Sequence, residues 1–164
     1  MKPNDIERLS ETEVADLIAA LDDEYMARAT YAQVIEDLGA VRPFVNIVEA
    51  EGRHAEALIS LFRAYDVPVP LDTWPQRVPR YASLREACEA AVAAEIDNGE
   101  MYDRLLSGTD RADILAVYRN LQAASQERHL PAFRRCADRG GTGTGEASGD
   151  GNRQRRRRRR RGGG

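Results

Sequence analysis

Four segments of the chain carry apolar residues at steps of three and four, and each segment is bounded by residues that start or end helices. Ser10 and Glu13 form a capping box before the first segment, and Gly39 follows its last apolar residue. Pro43 suits the first turn of the second segment. The pattern therefore predicts two helices, joined by a short turn, within residues 10–65.

Two further helices are predicted after a long connection. Residues 66–82 contain four prolines and no sustained apolar period, which indicates an irregular crossover. A second capping box at residues 83–86 opens a third helix that runs to about Gly108. Asp110 is the predicted cap of a fourth helix that reaches roughly Arg139. One long crossover between two helix pairs is the connectivity of ferritin-like bundles, so the predicted fold is an all-α, ferritin-like four-helix bundle.

Two local features act against unbroken helices. The Asn98-Gly99 pair could interrupt the third helix, because glycine is a weak helix former. Pro131 should kink the fourth helix unless a local bulge absorbs it, because proline has no backbone N–H. Both features lie inside otherwise regular apolar patterns.

The C-terminal segment differs from the rest of the chain in composition and charge. Residues 141–164 carry a net charge of +6, whereas residues 1–140 carry −9. Glycine and small polar residues lead into the unbroken run Arg155–Arg161, which cannot bury a core. The sequence therefore predicts a bundle at residues 1–139 and a disordered Gly/Arg-rich tail at residues 140–164.

Each predicted helix has a polar interruption near the midpoint of its apolar face. These residues are Glu24 in the first helix, Glu51 and His54 in the second, Glu95 in the third, and Gln126 and His129 in the fourth. Four helices packed side by side would bring these groups to one level of the core. Scattered surface charge would not show this coincidence.

The polar residues also form a two-fold internal repeat. A Glu and a Tyr seven residues later occur in the first and third helices, and an acid or amide with a His three residues later occurs in the second and fourth. The pairs are Glu24 with Tyr31, Glu95 with Tyr102, Glu51 with His54, and Gln126 with His129. Since the two histidines are the only ones in the chain, the repeat includes all of its imidazoles.

These residue types at this spacing suit a metal site. Glu-x-x-His places a carboxylate and an imidazole on one helix face, where both can bind one ion. Oxygen and imidazole ligands favour iron or manganese. Three buried carboxylates would cost several kcal/mol each without a cation, and two divalent ions would offset their charge.

Three segments carry a resemblance to the ferritin-like superfamily: Glu24–Tyr31, Phe44–His54 and His129–Phe133. Over about residues 11–138 the chain is similar to a bacterial and archaeal ferritin-like family of unknown function. The resemblance implies a rubrerythrin- or ferritin-type di-iron bundle. The implied ligands are Glu24, Glu51, His54, Glu95 and His129. Gln126 stands where many relatives have glutamate, and a neutral amide would hold the second ion weakly.

The expected function is that of a di-iron protein that reacts with dioxygen or peroxide, with ferroxidase, peroxidase and oxidase outcomes open. Glu95 or Glu24 would bridge the metals, and the two histidines would be terminal ligands. Tyr31 and Tyr102 either orient the ligands by hydrogen bonds or only pack. Because no four-cysteine iron site is present, the electron donor must be another molecule.

Two other functions also fit the sequence. The bundle could be non-catalytic, with its Glu and His side chains in a buried hydrogen-bonded network. A DNA-protecting stress protein is another reading, because Arg155–Arg161 would bind polyanions weakly by counterion release. A solvated tail without a dedicated partner also fits this composition.

The two cysteines are too few for a disulfide scaffold. If the third and fourth helices form a hairpin, Cys136 lies well beyond the level of Cys88, so we expect both to be small reduced core residues.

The start of the chain resembles no signal peptide and no segment resembles a membrane span, so we expect a cytoplasmic protein without a membrane partner. A homodimer is left open.

Overall fold

The computed structural model describes residues 8–140, and this part of the chain is helical without strands. Its elements are α1 (Glu11–Leu38), α2 (Phe44–Ala64), α3 (Leu84–Leu106), α4 (Ala112–Ala124), a π-helical turn (Ser125–His129) and α5 (Leu130–Asp138). The last three follow one another directly and form the fourth helix of the bundle. The predicted all-α class, with four helices and one long crossover, is confirmed.

Side-chain caps fix the start of α1 as predicted. The Ser10 Oγ accepts a 3.1 Å hydrogen bond from the Glu13 backbone N–H, and the Glu13 Oε2 accepts a 2.9 Å bond from the Ser10 N–H. At the other end, Gly39 has a φ of +89° and its N–H donates to the Ile35 carbonyl. A positive φ of this kind favours glycine, which explains the position of the helix end.

The predicted cap of the fourth helix is wrong. The helix begins after Arg111 rather than after Asp110, and the Arg111 side chain makes no capping hydrogen bond. Instead, the Thr109 Oγ1 accepts a 3.2 Å hydrogen bond from the Arg111 N–H and so replaces part of the missing cap. The serine of the second predicted box, Ser83, does cap α3 by accepting from the Glu86 N–H.

A bulge in the helix directly before Pro131 compensates for the backbone N–H that proline lacks. The π-helical turn precedes it directly, and the Leu130 N–H closes the turn by donating to the Ser125 carbonyl, five residues back. Pro131 then lies in the first turn of α5, where the absence of its N–H leaves no hydrogen bond unmade. By contrast, α3 passes through Asn98 and Gly99 without a break.

The core consists of two apolar clusters separated by a polar layer. The Phe62 cluster includes Leu17, Leu21, Leu58, Phe62, Tyr102, Ile114 and Tyr118. The Phe133 cluster includes Tyr31, Phe44, Ile47, Ala87, Cys88, Phe133 and Cys136. Along the helices the polar interruptions lie at the boundary between these two clusters, so apolar packing encloses the layer on both sides.

The expectation of two reduced cysteines is wrong. Cys88 of α3 and Cys136 of α5 form a disulfide, with Cα atoms 6.0 Å apart. A count of residues from the hairpin turn assumes two regular helices of equal rise. The π-helical turn 125–129 holds an extra residue within one turn, which removes about 1.5 Å of that offset, and the register in which α3 and α5 pack removes the rest.

The crossover lies against α1. The Trp74 indole N–H donates a 2.8 Å hydrogen bond to the Asp22 carboxylate, and the Tyr25 hydroxyl donates to the Pro70 carbonyl. Further along, Arg80 forms an ion pair with Asp37. These contacts fix the crossover beside the polar layer.

The predicted division of the chain at residue 140 stays a prediction, because the tail and Arg155–Arg161 lie outside the described residues. Within residues 8–140, no helix combines the length and apolar character that a membrane span requires.

Candidate metal centre

Four helices contribute to the polar layer. Glu24, Glu51, Glu95 and His129 are each at most 4% exposed, and the His54 side chain is 13% exposed. The structure thus brings together all five residues that the sequence named as carboxylate and imidazole ligands. Glu51 and His54 lie one turn apart on α2, as their spacing predicts.

The first ligand group consists of Glu24, Glu51 and His54. The His54 Nδ1 lies 2.9 Å from the Glu51 Oε2 and 3.2 Å from the Glu24 Oε2. One ligand atom from each of the three residues lies within 4.8 Å of the other two, so a single ion could contact all three.

The second ligand group consists of Glu51, Glu95 and His129, and all three are buried. The His129 Nδ1 lies 3.1 Å from the Glu51 Oε1 and 3.6 Å from the Glu95 Oε1. Glu51 therefore presents one oxygen to each histidine. The sequence favoured Glu95 or Glu24 as the shared carboxylate, whereas the geometry places Glu51 between the two groups.

Two tyrosines connect α1 and α3 through the layer. The Tyr31 hydroxyl of α1 donates a 2.8 Å hydrogen bond to the Glu95 Oε1, and the Tyr102 hydroxyl of α3 donates a 2.7 Å bond to the Glu24 Oε1. Burial raises the pKa of both phenols well above its ordinary value, which keeps them protonated as donors. Each tyrosine thus orients the carboxylate that belongs to the opposite half of the repeat.

Burial and mutual charge set the protonation of the layer. Burial raises the pKa of Glu24 to about 8, because its anion loses hydration, although His54 opposes this shift. Burial also works against the charge of Glu51, but His129 and His54 outweigh it and lower that pKa to about 2. For the imidazoles, burial opposes protonation, but the carboxylates of Glu24, Glu51 and Glu95 raise both pKa values to about 9. Positive charge on the two imidazoles therefore stabilises the anion of Glu51, which both rings contact.

The Nδ1 atom of His129 makes no hydrogen bond with the described residues. This atom is buried, and two carboxylates lie within ion-pair distance of it. A buried polar atom of this kind normally has a partner. An ion held between His129 and the carboxylates would supply one.

Gln126 is not part of either group. Its amide donates a 2.6 Å hydrogen bond to the Glu95 backbone carbonyl and a 2.9 Å bond to the Ser125 Oγ. The amide occupies the space beside Gly99, where an added Cβ would lie only 2.6 Å from the Gln126 Cδ. Gln126 therefore packs against the backbone of α3 and away from the carboxylates.

Ser125 occupies the position that the repeat assigned to Gln126. Its side chain is buried, and its hydroxyl donates a 2.5 Å hydrogen bond to the Glu95 Oε2. The π-helical turn shifts the inward-facing residue by one, so Ser125 and His129 share a face at a spacing of four. Sequence reasoning missed this role, although Pro131 signalled a bulge in this segment.

A cavity of about 210 Å³ reaches the layer between α1, α3 and the crossover. Its lining includes Ala27, Ala91 and Ala94 beside the ligand residues. Asp23 and Asn98 also line it, and the Asn98 amide donates a 2.7 Å hydrogen bond to the Asp23 Oδ2. The volume and small side chains suit a small molecule rather than a polymer.

Sequence reasoning did not assign Asp23 and Asn98 to the site. Burial raises the pKa of Asp23 to about 6, against the opposing effect of the Asn98 hydrogen bond. The Asn98 Oδ1 is buried and has no hydrogen-bond partner within residues 8–140. Their positions in the sequence could have indicated that they belong to the site. Asp23 precedes Glu24, and Asn98 lies one turn after Glu95 on the same face.

Comparison with known proteins supports the fold. The chain is 29% identical over 142 residues to an uncharacterised protein, MJ0754, of Methanocaldococcus jannaschii, covering 77% of this chain and 76% of the relative. The crystal structure of that protein superposes with a TM-score of 0.74 at 24% identity, covering 85% of this chain and 87% of the other. A hypothetical protein, Rv2844, of Mycobacterium tuberculosis superposes with a TM-score of 0.65 at 17% identity, covering 77% and 91%.

No protein-family model matches the chain. The names of the two similar proteins state no activity, and neither names the ferritin-like superfamily. The superfamily therefore stays a prediction from the sequence, while the helical fold is shared with solved structures.

Proposed function

We propose that the polar layer binds two divalent transition-metal ions, with iron as the first candidate and manganese as the second. The observation that carries this proposal is the position of Glu51, whose two oxygens face two different imidazoles. One ion would lie with Glu24, Glu51 and His54, and the other with Glu51, Glu95 and His129. Two divalent ions would offset the charge of three buried carboxylates.

The donor set fits these metals. Carboxylate oxygens with imidazole nitrogens suit iron and manganese, and the two sulfurs of residues 8–140 that could offer thiolates are joined in the disulfide. The His129 Nδ1, which lies 3.1 Å from the Glu51 Oε1 without meeting hydrogen-bond geometry, is a candidate ligand atom that would lose its proton on metal binding. The hydrogen bonds from Tyr31 and Tyr102 would orient the outer carboxylates, as supporting groups around metal ligands commonly do.

The two ions would be held by equivalent ligand sets, each with one histidine, one outer carboxylate and the shared Glu51. The weak second site expected from the sequence depended on Gln126 as a ligand. Because the Gln126 amide is hydrogen-bonded to the backbone of α3, it would not make the affinity of one metal ion weaker than that of the other.

We propose that the substrate is dioxygen or a peroxide. Iron bound in this layer would supply the electrons for its reduction, with ferroxidase, peroxidase or oxidase activity as the outcome. The chain itself would bind the metals through its Glu and His residues and admit the small substrate through the 210 Å³ cavity. The Phe62 and Phe133 clusters would exclude water from both sides of the layer.

Elemental analysis of protein purified without chelator tests the proposal. We expect about two iron or manganese ions per chain, and we expect His54→Ala to lose most of the ion that its group holds. Arg53→Ala, at the neighbouring exposed position of α2, is the matched control and should keep both ions. Metal-free protein that takes up no Fe(II) or Mn(II) would contradict the proposal.

The second candidate function is a non-catalytic binding bundle. The observation that favours it is the hydrogen bonding within the layer itself: Tyr102 donates to Glu24, Tyr31 and Ser125 donate to Glu95, and His54 contacts Glu51. Under this function, His54→Ala lowers stability and metal addition leaves the melting temperature unchanged. A rise in melting temperature with added metal would count against it.

The proposed stress-protein role of Arg155–Arg161 rests on composition alone. Deletion of residues 141–164 tests it, because the tail is the basic part of an otherwise acidic chain. Loss of salt-sensitive DNA binding with metal content retained would assign the tail this task. Unchanged DNA binding would contradict it.

A further inference from the structure

Each cysteine of the disulfide lies on the same helix as one of the proposed metal ligands. Cys88 precedes Glu95 by seven residues on α3, and Cys136 follows His129 by seven residues on the fourth helix. Seven residues are two helical turns, or roughly 10 Å along the axis. The sulfur pair is therefore two turns from a carboxylate and from an imidazole of the same ligand group.

A packed path joins the disulfide to this ligand group. Cys88, Cys136, Tyr31 and Phe133 belong to one apolar cluster. The Tyr31 ring lies 5.1 Å from the Phe133 ring, and its hydroxyl donates to the Glu95 carboxylate. Tyr31 therefore contacts both the cluster that contains the disulfide and the layer that contains the ligands.

The two halves of the sequence repeat are not equivalent with respect to this path. Tyr102 is the counterpart of Tyr31 and donates to Glu24, but it packs in the Phe62 cluster, where no cysteine lies among the described residues. Only one of the two ligand groups, that of His129, therefore has a sulfur pair on its side of the layer.

The sulfurs are poorly placed for direct reaction with an oxidant in solution. Cys88 is fully buried and Cys136 is 5% exposed. Oxidation of a thiol by peroxide requires a thiolate and access, and an apolar environment disfavours both. In the cytoplasm, where the sequence leads us to expect this chain, disulfides that form are mostly catalytic or redox-sensing.

We propose that Cys88 and Cys136 form a redox-active dithiol that supplies two electrons to the metal centre for the reduction of a hydroperoxide. The proposal rests on the proposed function and names the electron source for the same site. Two thiols lose two protons and two electrons as the S–S bond forms. Hydrogen peroxide takes up the two electrons and two protons, its O–O bond breaks, and two waters leave.

The immediate electron donor would then be the dithiol of the chain itself rather than the other molecule that the sequence led us to expect. The dithiol would hold one electron pair within the bundle, enough for one hydroperoxide per chain. An external thiol reductant would then restore both cysteines by thiol–disulfide exchange.

The test measures the number of free thiols rather than the rate of peroxide consumption. The full chain is reduced with dithiothreitol, desalted, and either loaded with Fe(II) or left metal-free before one equivalent of hydrogen peroxide is added. Alkylation and mass measurement then report free thiols over time. We expect the disulfide to form at least about tenfold faster with iron bound, on the scale of effects around a metal ligand. Equal rates, or peroxide consumption with both thiols intact, would overturn the proposal.

Two tyrosine variants provide a matched comparison, with rates expressed per bound iron. Tyr31→Phe should slow disulfide formation more than Tyr102→Phe, because only Tyr31 contacts the cysteine cluster. Equal effects of the two variants would argue against the path through Tyr31 and overturn it.

Metal content separates the failure of this inference from the failure of the proposed function. The Cys88→Ser/Cys136→Ser double variant should bind as much iron as the parent chain, with circular dichroism to check its helicity. If the parent binds no metal, the proposed function fails and this inference fails with it. If the parent binds metal but its thiols stay reduced, only the dithiol proposal fails.

Discussion

The imidazole rings of His54 and His129 stack with their centroids 5.4 Å apart and their planes 18° from parallel. They come from different halves of the sequence repeat, and the carboxylate of Glu51 contacts both. This arrangement makes α2 the central helix of the site, because it supplies the shared carboxylate as well as one imidazole. The outer carboxylates, Glu24 and Glu95, come from α1 and α3.

The two tyrosines should affect different ions. Tyr31→Phe removes one of the two hydroxyl donors of Glu95, the other being Ser125, and Tyr102→Phe removes the hydroxyl donor of Glu24. Because each carboxylate belongs to a different ligand group, each variant should weaken one metal by about tenfold and leave the other nearly unchanged. Titration calorimetry with Mn(II) measures both affinities. Loss of the same ion in both variants would contradict the assignment of ligand groups.

Replacement of Gln126 by glutamate should not add a ligand. The Gln126 amide donates to the Glu95 carbonyl, and a carboxylate at this position would place an acceptor against an acceptor. We expect Gln126→Glu to lower the free energy of unfolding by about 1–3 kcal/mol. Metal content should not rise above that of the parent chain. Denaturant unfolding and elemental analysis check the two parts, and tighter metal binding in this variant would contradict the geometry.

Two glycines inside helices should respond to alanine in opposite directions. At Gly52 an added Cβ would meet only the Arg28 side chain at 3.7 Å, an ordinary contact, so Gly52→Ala should stabilise the chain by about 1 kcal/mol. At Gly99 the Cβ would displace the Gln126 amide, so Gly99→Ala should destabilise it. Thermal unfolding of both variants tests this contrast. Stabilisation by Gly99→Ala would show that the Gln126 contact is unimportant.

The capping box should contribute stability that depends on pH. The Ser10 N–H, the Thr109 hydroxyl and Arg111 lower the pKa of Glu13 to about 2, from an ordinary value of 4.5. Since the folded-state pKa is the lower one, the contribution is complete above about pH 4.5 and is lost as the pH falls toward 2. Glu13→Gln should therefore cost about 1 kcal/mol at pH 7 and less at pH 3.

Urea unfolding at the two pH values measures the Glu13 effect as a difference from the parent chain. Glu11→Gln is the control, because Glu11 lies in the same helical turn but its side chain makes no hydrogen bond or ion pair with another residue of the range 8–140. A Glu13→Gln cost that is equal at pH 7 and pH 3 would contradict the role of its charge.

The helices could be predicted from sequence because their signals are local. Capping residues such as Ser10 and Ser83, and apolar residues at helical spacing, depend only on neighbours along the chain. The convergence of Glu24, Glu51, His54, Glu95 and His129 could also be predicted, because residues at helix midpoints meet when four helices of similar length pack together.

The remaining features depend on register between helices, which apolar spacing does not encode. The π-helical turn shifts the inward position from Gln126 to Ser125, and the register in which α3 and α5 pack places Cys136 beside Cys88. Pro131 indicated a bulge but did not specify its position or its effect on these residues. The contact of Trp74 with Asp22 likewise depends on the path of an irregular segment.

The metal content of Glu51→Ala beside that of the parent chain tests the central claim most directly. Both proteins are purified without chelator, loaded with Fe(II) under anaerobic conditions, desalted and measured by elemental analysis. Because Glu51 is common to both ligand groups, we predict about two ions per chain for the parent and almost none for Glu51→Ala. Two ions retained by Glu51→Ala, or none bound by the parent, would contradict the account.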